Sequence, residues 1–257
     1  AVPFHMWAPD VYEGSPTSVT LFFAILPKVA ALTIFIRFLY VPFLNLIDQW
    51  QSIIIFLSLA SMIFGAISAI GQKNLKRLIA YSSIGHMGYA LAGLSVGTNS
   101  GIQNSIIYIS IYIVMNLGIF CCLFMLRRKD KFYEQLDDLS GLSKNHPLIS
   151  LSMLILLFSL AGIPPMAGFF AKFYIFVSVI EKSMYLLAIV GLISTVISAF
   201  YYLKIIKIIY FDPPLDSYDR ENFIGLKISL FLSTALTLLY FLYPNSLINL
   251  VTKINVI

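Results

Sequence analysis

Residues 148–181 read LISLSMLILLFSLAGIPPMAGFFAKFYIFVSVIE, with Lys172 and Glu181 as the charged members of the run. A hydrocarbon layer about 30 Å thick takes roughly 20 helical residues to cross, so this run exceeds one straight crossing. Gly162-Ile163-Pro164-Pro165 interrupts it. Proline removes a backbone donor and clashes with the preceding turn. The stretch therefore predicts two half-helices with an unwound joint, Gly168 standing just beyond it. Unwound backbone at membrane depth is tolerated only where it is buried in protein or lines a wet cavity. Such broken helices mark ion sites in transporters built from inverted repeats. Lys172 follows the joint and falls about one turn into the second half-helix. The bland reading is a proline kink with a lysine near the interface.

The rest of the chain has the same character. Of 257 residues, 59% are hydrophobic and 11% charged, and the mean hydropathy is +0.88. Water-soluble chains average about 25% charged residues. Disordered chains, disulfide scaffolds and ordinary soluble enzymes are excluded. Cys121 and Cys122 are adjacent inside an apolar run and match no metal spacing. Seven spans are expected, near 15–41, 49–70, 76–96, 103–126, 148–181, 184–210 and 223–244. The fold class is an all-α polytopic membrane protein. The longest connection, Arg127 to Pro147, carries an amphipathic piece around Tyr133 to Leu142.

Alternating the sides of these spans puts 12 of the 17 basic residues on the side that precedes the first. Arg37, Lys182 and Lys253 fall on the other. By the positive-inside rule the basic side is cytoplasm or matrix, so the net charge of +5 is no nucleic-acid footprint. Lys28 and Lys172 are left over.

Lys28 lies 13 residues from each end of the first span, too deep for its stem to reach water. A lysine at that depth costs on the order of 3 kcal/mol or more, and intramembrane ionisable residues are functional by default. Pro27 precedes it, which frees the carbonyl of Phe23 and bends or breaks the helix. The bland reading is a lysine that snorkels or pairs inertly with a neighbouring subunit. In the third span Ser82, His86 and Tyr89 form one polar stripe at helical spacing, beside a small-residue stripe of Gly85, Gly88 and Ala92 suited to close packing. Histidine titrates near neutral pH, which suits a proton relay; an interhelical hydrogen bond is the equal alternative. Asn116 is a weaker candidate for holding water. Solvated surface is expected for Glu13 and His146. No dinucleotide fingerprint, P-loop, H-E-x-x-H or iron-binding cluster occurs, so the chain is expected to bind no cofactor or metal.

Three motifs carry a resemblance that covers essentially the whole chain. They are Ala1 to Thr17 (AVPFHMWAPDVYEGSPT), Lys76 to Tyr89 (KRLIAYSSIGHMGY) and Ala161 to Tyr174 (AGIPPMAGFFAKFY), with Leu26-Pro27-Lys28 in addition. They resemble the antiporter-like subunits of respiratory complex I (NADH:ubiquinone oxidoreductase), and subunit 2 above the others. The resemblance implies 14 helices built from two inverted five-helix repeats, of which the seven spans would be the last seven. Residues 1–14 would end a preceding broken helix, 15–41 close the first repeat, and 49–210 form the second, broken at 148–181. A C-terminal span, 223–244, and a tail, 245–257, would follow. It also implies proton translocation, with Lys28 as a central relay lysine, Lys172 as the lysine of the second half-channel, and His86 on the axis between them. NADH, FMN, iron–sulfur clusters and ubiquinone would belong to other subunits. Expected partners are other membrane-arm subunits, lipids, and a separate chain carrying the first seven helices; no nucleic acid is expected. Abundant isoleucine, tyrosine and phenylalanine point to an AT-rich organellar genome, and so to the mitochondrial inner membrane with basic loops in the matrix.

Desolvation disfavours the charged form of an amine, and two ammonium groups about 10 Å apart at an effective dielectric of ~20 repel by about 1.7 kcal/mol. A proton arriving on one lysine can thus help expel one from the other. Two rivals stand beside this reading: a subunit of a multisubunit cation/proton antiporter, and a purely structural membrane-arm subunit.

Overall fold

The computed structural model describes residues 1–128, 131–215, 218 and 223–254. They fold into helices α1 (Trp7–Gly14), α2 (Thr17–Tyr40), α3 (Ile47–Ile70), α4 (Leu75–Ser95), α5 (Asn99–Met125), α6 (Leu142–Asn145), α7 (Pro147–Ala161), α8 (Ala167–Glu181), α9 (Tyr185–Phe211), α10 (Ile224–Leu239) and α11 (Asn245–Val251). Among the described residues the strands are a two-residue antiparallel pair, Arg127–Arg128 with Lys131–Phe132. Lys129 and Arg220, counted for sidedness, and the end of the tail, 255–257, lie outside the described residues.

Among the described residues, five helical segments are long and apolar enough to cross a membrane: Thr17–Tyr40, Leu44–Ile70, Asn99–Met125, Tyr185–Phe211 and Ile224–Leu242. The other two expected spans meet that standard less fully. Helix α4 has 21 residues but gives much of its surface to serine, histidine, tyrosine and glycine. Helices α7 and α8 have 15 residues each, and each alone is shorter than a full crossing. The last helix ends earlier than its apolar run. A 3-10 turn, Tyr240–Leu242, follows α10, and Pro244 disfavours helical backbone at Tyr243.

Burial sorts the helices. In α5 the most apolar window is 72% buried, against 22% in both α2 and α10. Helix α4 is buried along most of its length. Its small-residue stripe packs on α3: a Cβ built at Gly65 would lie 2.5 Å from the backbone nitrogen of Gly85, so the two backbones touch. Ser58 closes the same contact by donating to the carbonyl of Gly88 at 2.7 Å. The outer helices α2, α3, α9 and α10 expose large apolar side chains such as Phe22, Ile34, Phe56, Phe200 and Phe231, a surface suited to lipid or to another membrane subunit.

Pro27 does not break its helix. Helix α2 runs unbroken through it, because one missing donor leaves the bonds of the flanking turns in place. The amphipathic piece expected around Tyr133 to Leu142 folds as a 3-10 turn, Leu136–Leu139, with both leucines buried. Its backbone is tied to the start of α4, Leu75 donating to the Glu134 carbonyl at 2.7 Å and Leu136 to the Lys73 carbonyl at 2.8 Å.

Candidate functional site

The expected break is present between α7 and α8. Gly162 adopts a left-handed conformation, φ +87°, which glycine tolerates without steric penalty. Its N–H donates to Ser159 at 2.9 Å and that of Ile163 to Phe158 at 3.0 Å. This is a Schellman ending, which satisfies two of the carbonyls that a helix end leaves open. Two others remain, those of Leu160 and Ala161, and the Nζ of Lys172 donates to both at 3.1 Å. Ser159 completes the joint by accepting from the N–H of Gly168 at 2.8 Å, so the end of α7 and the start of α8 cap each other. Lys172 is 4% exposed, with its amine 5.2 Å from the centre of the Tyr89 ring.

His86 lies on the buried face of α4, between two tyrosines. Its Nδ1 is 2.6 Å from the hydroxyl of Tyr108 and its Nε2 is 3.1 Å from that of Tyr202. Neutral imidazole offers one donor and one acceptor, so one tyrosine donates to the ring while the other accepts. Exchanging the roles moves a proton across the ring. The Tyr202 hydroxyl also bonds to Ser82, which puts Ser82 and His86 in one network. Tyr89 turns its hydroxyl away to the Gly191 carbonyl at 3.0 Å and Thr195 at 2.9 Å. A cavity of about 10 Å³ is lined by Ser82, His86, Tyr89, Lys172, Ser198 and Tyr201 among others. That is room for about one water.

Lys28 is reached from the other end. It donates to the Tyr112 hydroxyl at 3.1 Å, and its amine stands 5.3 Å from the Tyr112 ring centre and 5.5 Å from that of Tyr12. The Tyr112 ring lies 5.0 Å from the His86 ring. Lys28, Tyr112, His86, the cavity and Lys172 therefore follow one another through the buried centre. Direct hydrogen bonds do not link every pair: Tyr112 meets His86 by ring contact, and the cavity separates His86 from Lys172. Among the described residues neither lysine has a carboxylate in ion-pair range.

Asn116 meets this path at Tyr112: its amide donates to the Tyr112 carbonyl one turn back at 2.9 Å, and its side chain also hydrogen-bonds the Tyr112 side chain. Glu13, expected at a solvated surface, accepts from Arg77 at 2.8 Å, and Asp10 pairs with the same guanidinium at 3.0 Å. Lys76 pairs with Glu134 at 2.6 Å. His146 accepts from the backbone N–H of Tyr218 at 3.1 Å. Sequence reading missed Tyr108, Tyr112 and Tyr202. A signal existed in α5, where Asn104, Tyr108, Tyr112 and Asn116 recur every four residues on an otherwise apolar helix. Among the described residues no three His, Cys, Asp or Glu side chains gather as metal ligands.

The profile of the NADH:quinone oxidoreductase/Mrp antiporter transmembrane family matches residues 1–198. Subunit N of NADH-quinone oxidoreductase from Pelagibacter ubique is 75% identical over all 257 residues, which cover 55% of that protein. The chain thus spans about half the length of the curated relatives it matches. Among solved structures, a chain of respiratory complex I from Thermus thermophilus superposes with a TM-score of 0.83 at 29% identity, over 96% of this chain and 54% of that one. A chain of the archaeal membrane-bound sulfane sulfur reductase superposes with a TM-score of 0.88 at 28% identity, over 98% and 51%. The relatives just named are bacterial and archaeal. The mitochondrial expectation rested on the abundance of isoleucine, tyrosine and phenylalanine, and an AT-rich genome enriches these residues in any compartment. This chain is an all-helical membrane protein and belongs to the NADH:quinone oxidoreductase/Mrp antiporter transmembrane family.

Proposed function

We propose that this chain carries the second half-channel of a proton-translocating membrane-arm subunit of bacterial NADH-quinone oxidoreductase. Protons pass between Lys28 and Lys172 by way of Tyr112 and His86, with water bridging both the Tyr112–His86 gap and the cavity beside Lys172. The observation that carries the reading is the pair of mid-membrane lysines, without carboxylate partners among the described residues, with a buried tyrosine–histidine path between them. Isolated amines at that depth are unfavourable and mark ion pathways. The 75% identity to a subunit N supports the same complex. In this reading α4 and the α7–α8 pair complete seven crossings, and 49–210 forms one inverted repeat. The basic loops face the cytoplasm across a plasma membrane. Neighbouring antiporter-like subunits flank the chain, and the polypeptide corresponding to the rest of its relatives' length provides the first half-channel. Redox centres belong to other subunits, and the chain's own part of the enzyme is proton transfer.

In this reading Lys172 releases the proton, because its amine is held by the α7 carbonyls and its side chain lines the cavity. The test is proton pumping by the reconstituted complex with Lys172→Met. Pumping is expected to fall at least tenfold while the complex still assembles; undiminished pumping rejects the reading. A second reading follows from the family itself, which includes Mrp-type antiporters. Sodium-dependent transport, with no NADH-oxidising chains co-purifying, favours that alternative.

A further inference from the structure

Both ring nitrogens of His86 are engaged by tyrosines, Nδ1 by Tyr108 and Nε2 by Tyr202. Each nitrogen of an imidazole makes one in-plane hydrogen bond, as donor or as acceptor, so water in the neighbouring cavity has no free ring nitrogen to meet. Tyr108 and Tyr202 are not among the residues that line that cavity, whereas Ser82, Ser198 and Tyr201 are. Ser198 commits its hydroxyl proton to the Thr195 carbonyl at 2.8 Å. Ser82 differs, because its hydroxyl bonds to that of Tyr202, and both residues are buried. The Tyr201 side chain also hydrogen-bonds Ser82 and Tyr202. These contacts lead from the cavity to the ring through one oxygen, the Tyr202 hydroxyl.

We propose that Tyr202 is the relay through which His86 passes protons to the cavity, with Ser82 and Tyr201 as the links between Tyr202 and the cavity water. The inference rests on the lysine-to-lysine reading above. In one transfer, the Nε2 proton of His86 moves to the Tyr202 oxygen as the Tyr202 proton moves to the Ser82 oxygen. The Ser82 proton passes to the water, which protonates the neutral amine of Lys172. Nδ1 takes the proton of Tyr108, and Tyr108 is refilled from Lys28 by way of Tyr112 and its bridging water. Each oxygen gains one proton as it loses one, so no phenolate or alkoxide is left in the buried interior, where an unpaired charge is costly. A plain clamp between α4 and α9 could use the Ser82–Tyr202 bond, but it would not require Ser82 to reach the cavity.

The test is proton pumping by the reconstituted complex in H2O and in D2O. Tyr202→Phe removes one oxygen and keeps the ring. Pumping is expected to fall about a hundredfold, the low end of what a positioned proton carrier contributes. Its solvent deuterium isotope effect should exceed that of wild type, a change that loss of a clamp would not produce. Ser82→Ala should cost less, because Tyr201 still reaches the Tyr202 hydroxyl. The double variant Ser82→Ala/Tyr201→Phe should match Tyr202→Phe, and it keeps the test decisive if Tyr202→Phe fails to assemble. Wild-type pumping in Tyr202→Phe or in the double variant overturns the relay, as does a loss with an unchanged isotope effect. Lys172→Met, measured beside them, separates two failures. If it is impaired while Tyr202→Phe is not, the relay alone is wrong; if neither is impaired, the lysine reading is wrong as well.

Discussion

Two lysines stand in helices that solve the same problem differently. Lys28 belongs to α2, an outer helix that runs through Pro27 without a break, and its hydrogen-bond partner is a side chain, the Tyr112 hydroxyl. Lys172 belongs to α8, which exists as a separate helix because the chain unwinds at Gly162 to Met166, and its partners are backbone carbonyls of α7. The contrast teaches what a helix break supplies. Opening a helix exposes carbonyls that a continuous helix keeps for itself, so an amine beside the break is held by main chain. An amine on an intact helix must borrow a hydroxyl from a neighbour. The first arrangement is as rigid as the fold; the second depends on one atom.

Four substitutions test that contrast. The largest effect is expected at Gly168, where an added Cβ would collide with the carbonyl oxygen of Ser159. Gly168→Val should prevent α8 from docking on α7, cost about 3 kcal/mol or more, and sharply lower the yield of assembled complex on native gels. Next comes Tyr112→Phe, which deletes the partner of Lys28 and keeps the ring. A hydrogen bond to a charged group contributes about 1.5–3 kcal/mol, so pumping should fall about tenfold with assembly unchanged; unchanged pumping would break the comparison on the Lys28 side. Gly162→Ala forces a side chain into the left-handed region, at about 1–2 kcal/mol, and sets its Cβ 3.1 Å from the Lys172 stem. A thermal shift of a few degrees with a partial loss of pumping is expected. Pro27→Ala should change least. Helix α2 is already continuous there, so melting temperature and pumping should stay close to wild type, and a large loss would show that the proline itself serves Lys28.

The helices were largely legible in the sequence because apolar runs of membrane length have few other fates. Leu75–Ser95 and Tyr185–Phe211 lie within one residue of the expected spans, and the joint falls at the glycine and prolines that mark it. What sequence reading placed poorly had local causes. The last helix stops before its apolar residues do, because Pro244 constrains the residue ahead of it. Pro27 looked like a break and is none, since a lone proline removes one bond, whereas at Gly162 to Pro165 a positive φ at Gly162 and two prolines in a row interrupt several. Lys28, His86 and Lys172 were legible because each is costly where it stands. Tyr108, Tyr112 and Tyr202 were not, because tyrosine is counted with the hydrophobic residues in the composition and its hydroxyl is decisive only once neighbouring helices are in place. Glu13 stays partly exposed as expected, but its ion pair with Arg77 was not legible, because the two are distant in the chain and close only after α1 packs against α4.

The carbonyls that hold Lys172 also have a genetic consequence. A tyrosine codon becomes a phenylalanine codon by a single base change, so one transversion can erase the hydroxyl that serves Lys28. No missense change deletes a main-chain oxygen. Apart from loss of Lys172 itself, drift can dislodge these contacts only by reshaping the turn that presents them, so the acceptor side of this end of the path is shielded from the commonest form of heritable damage.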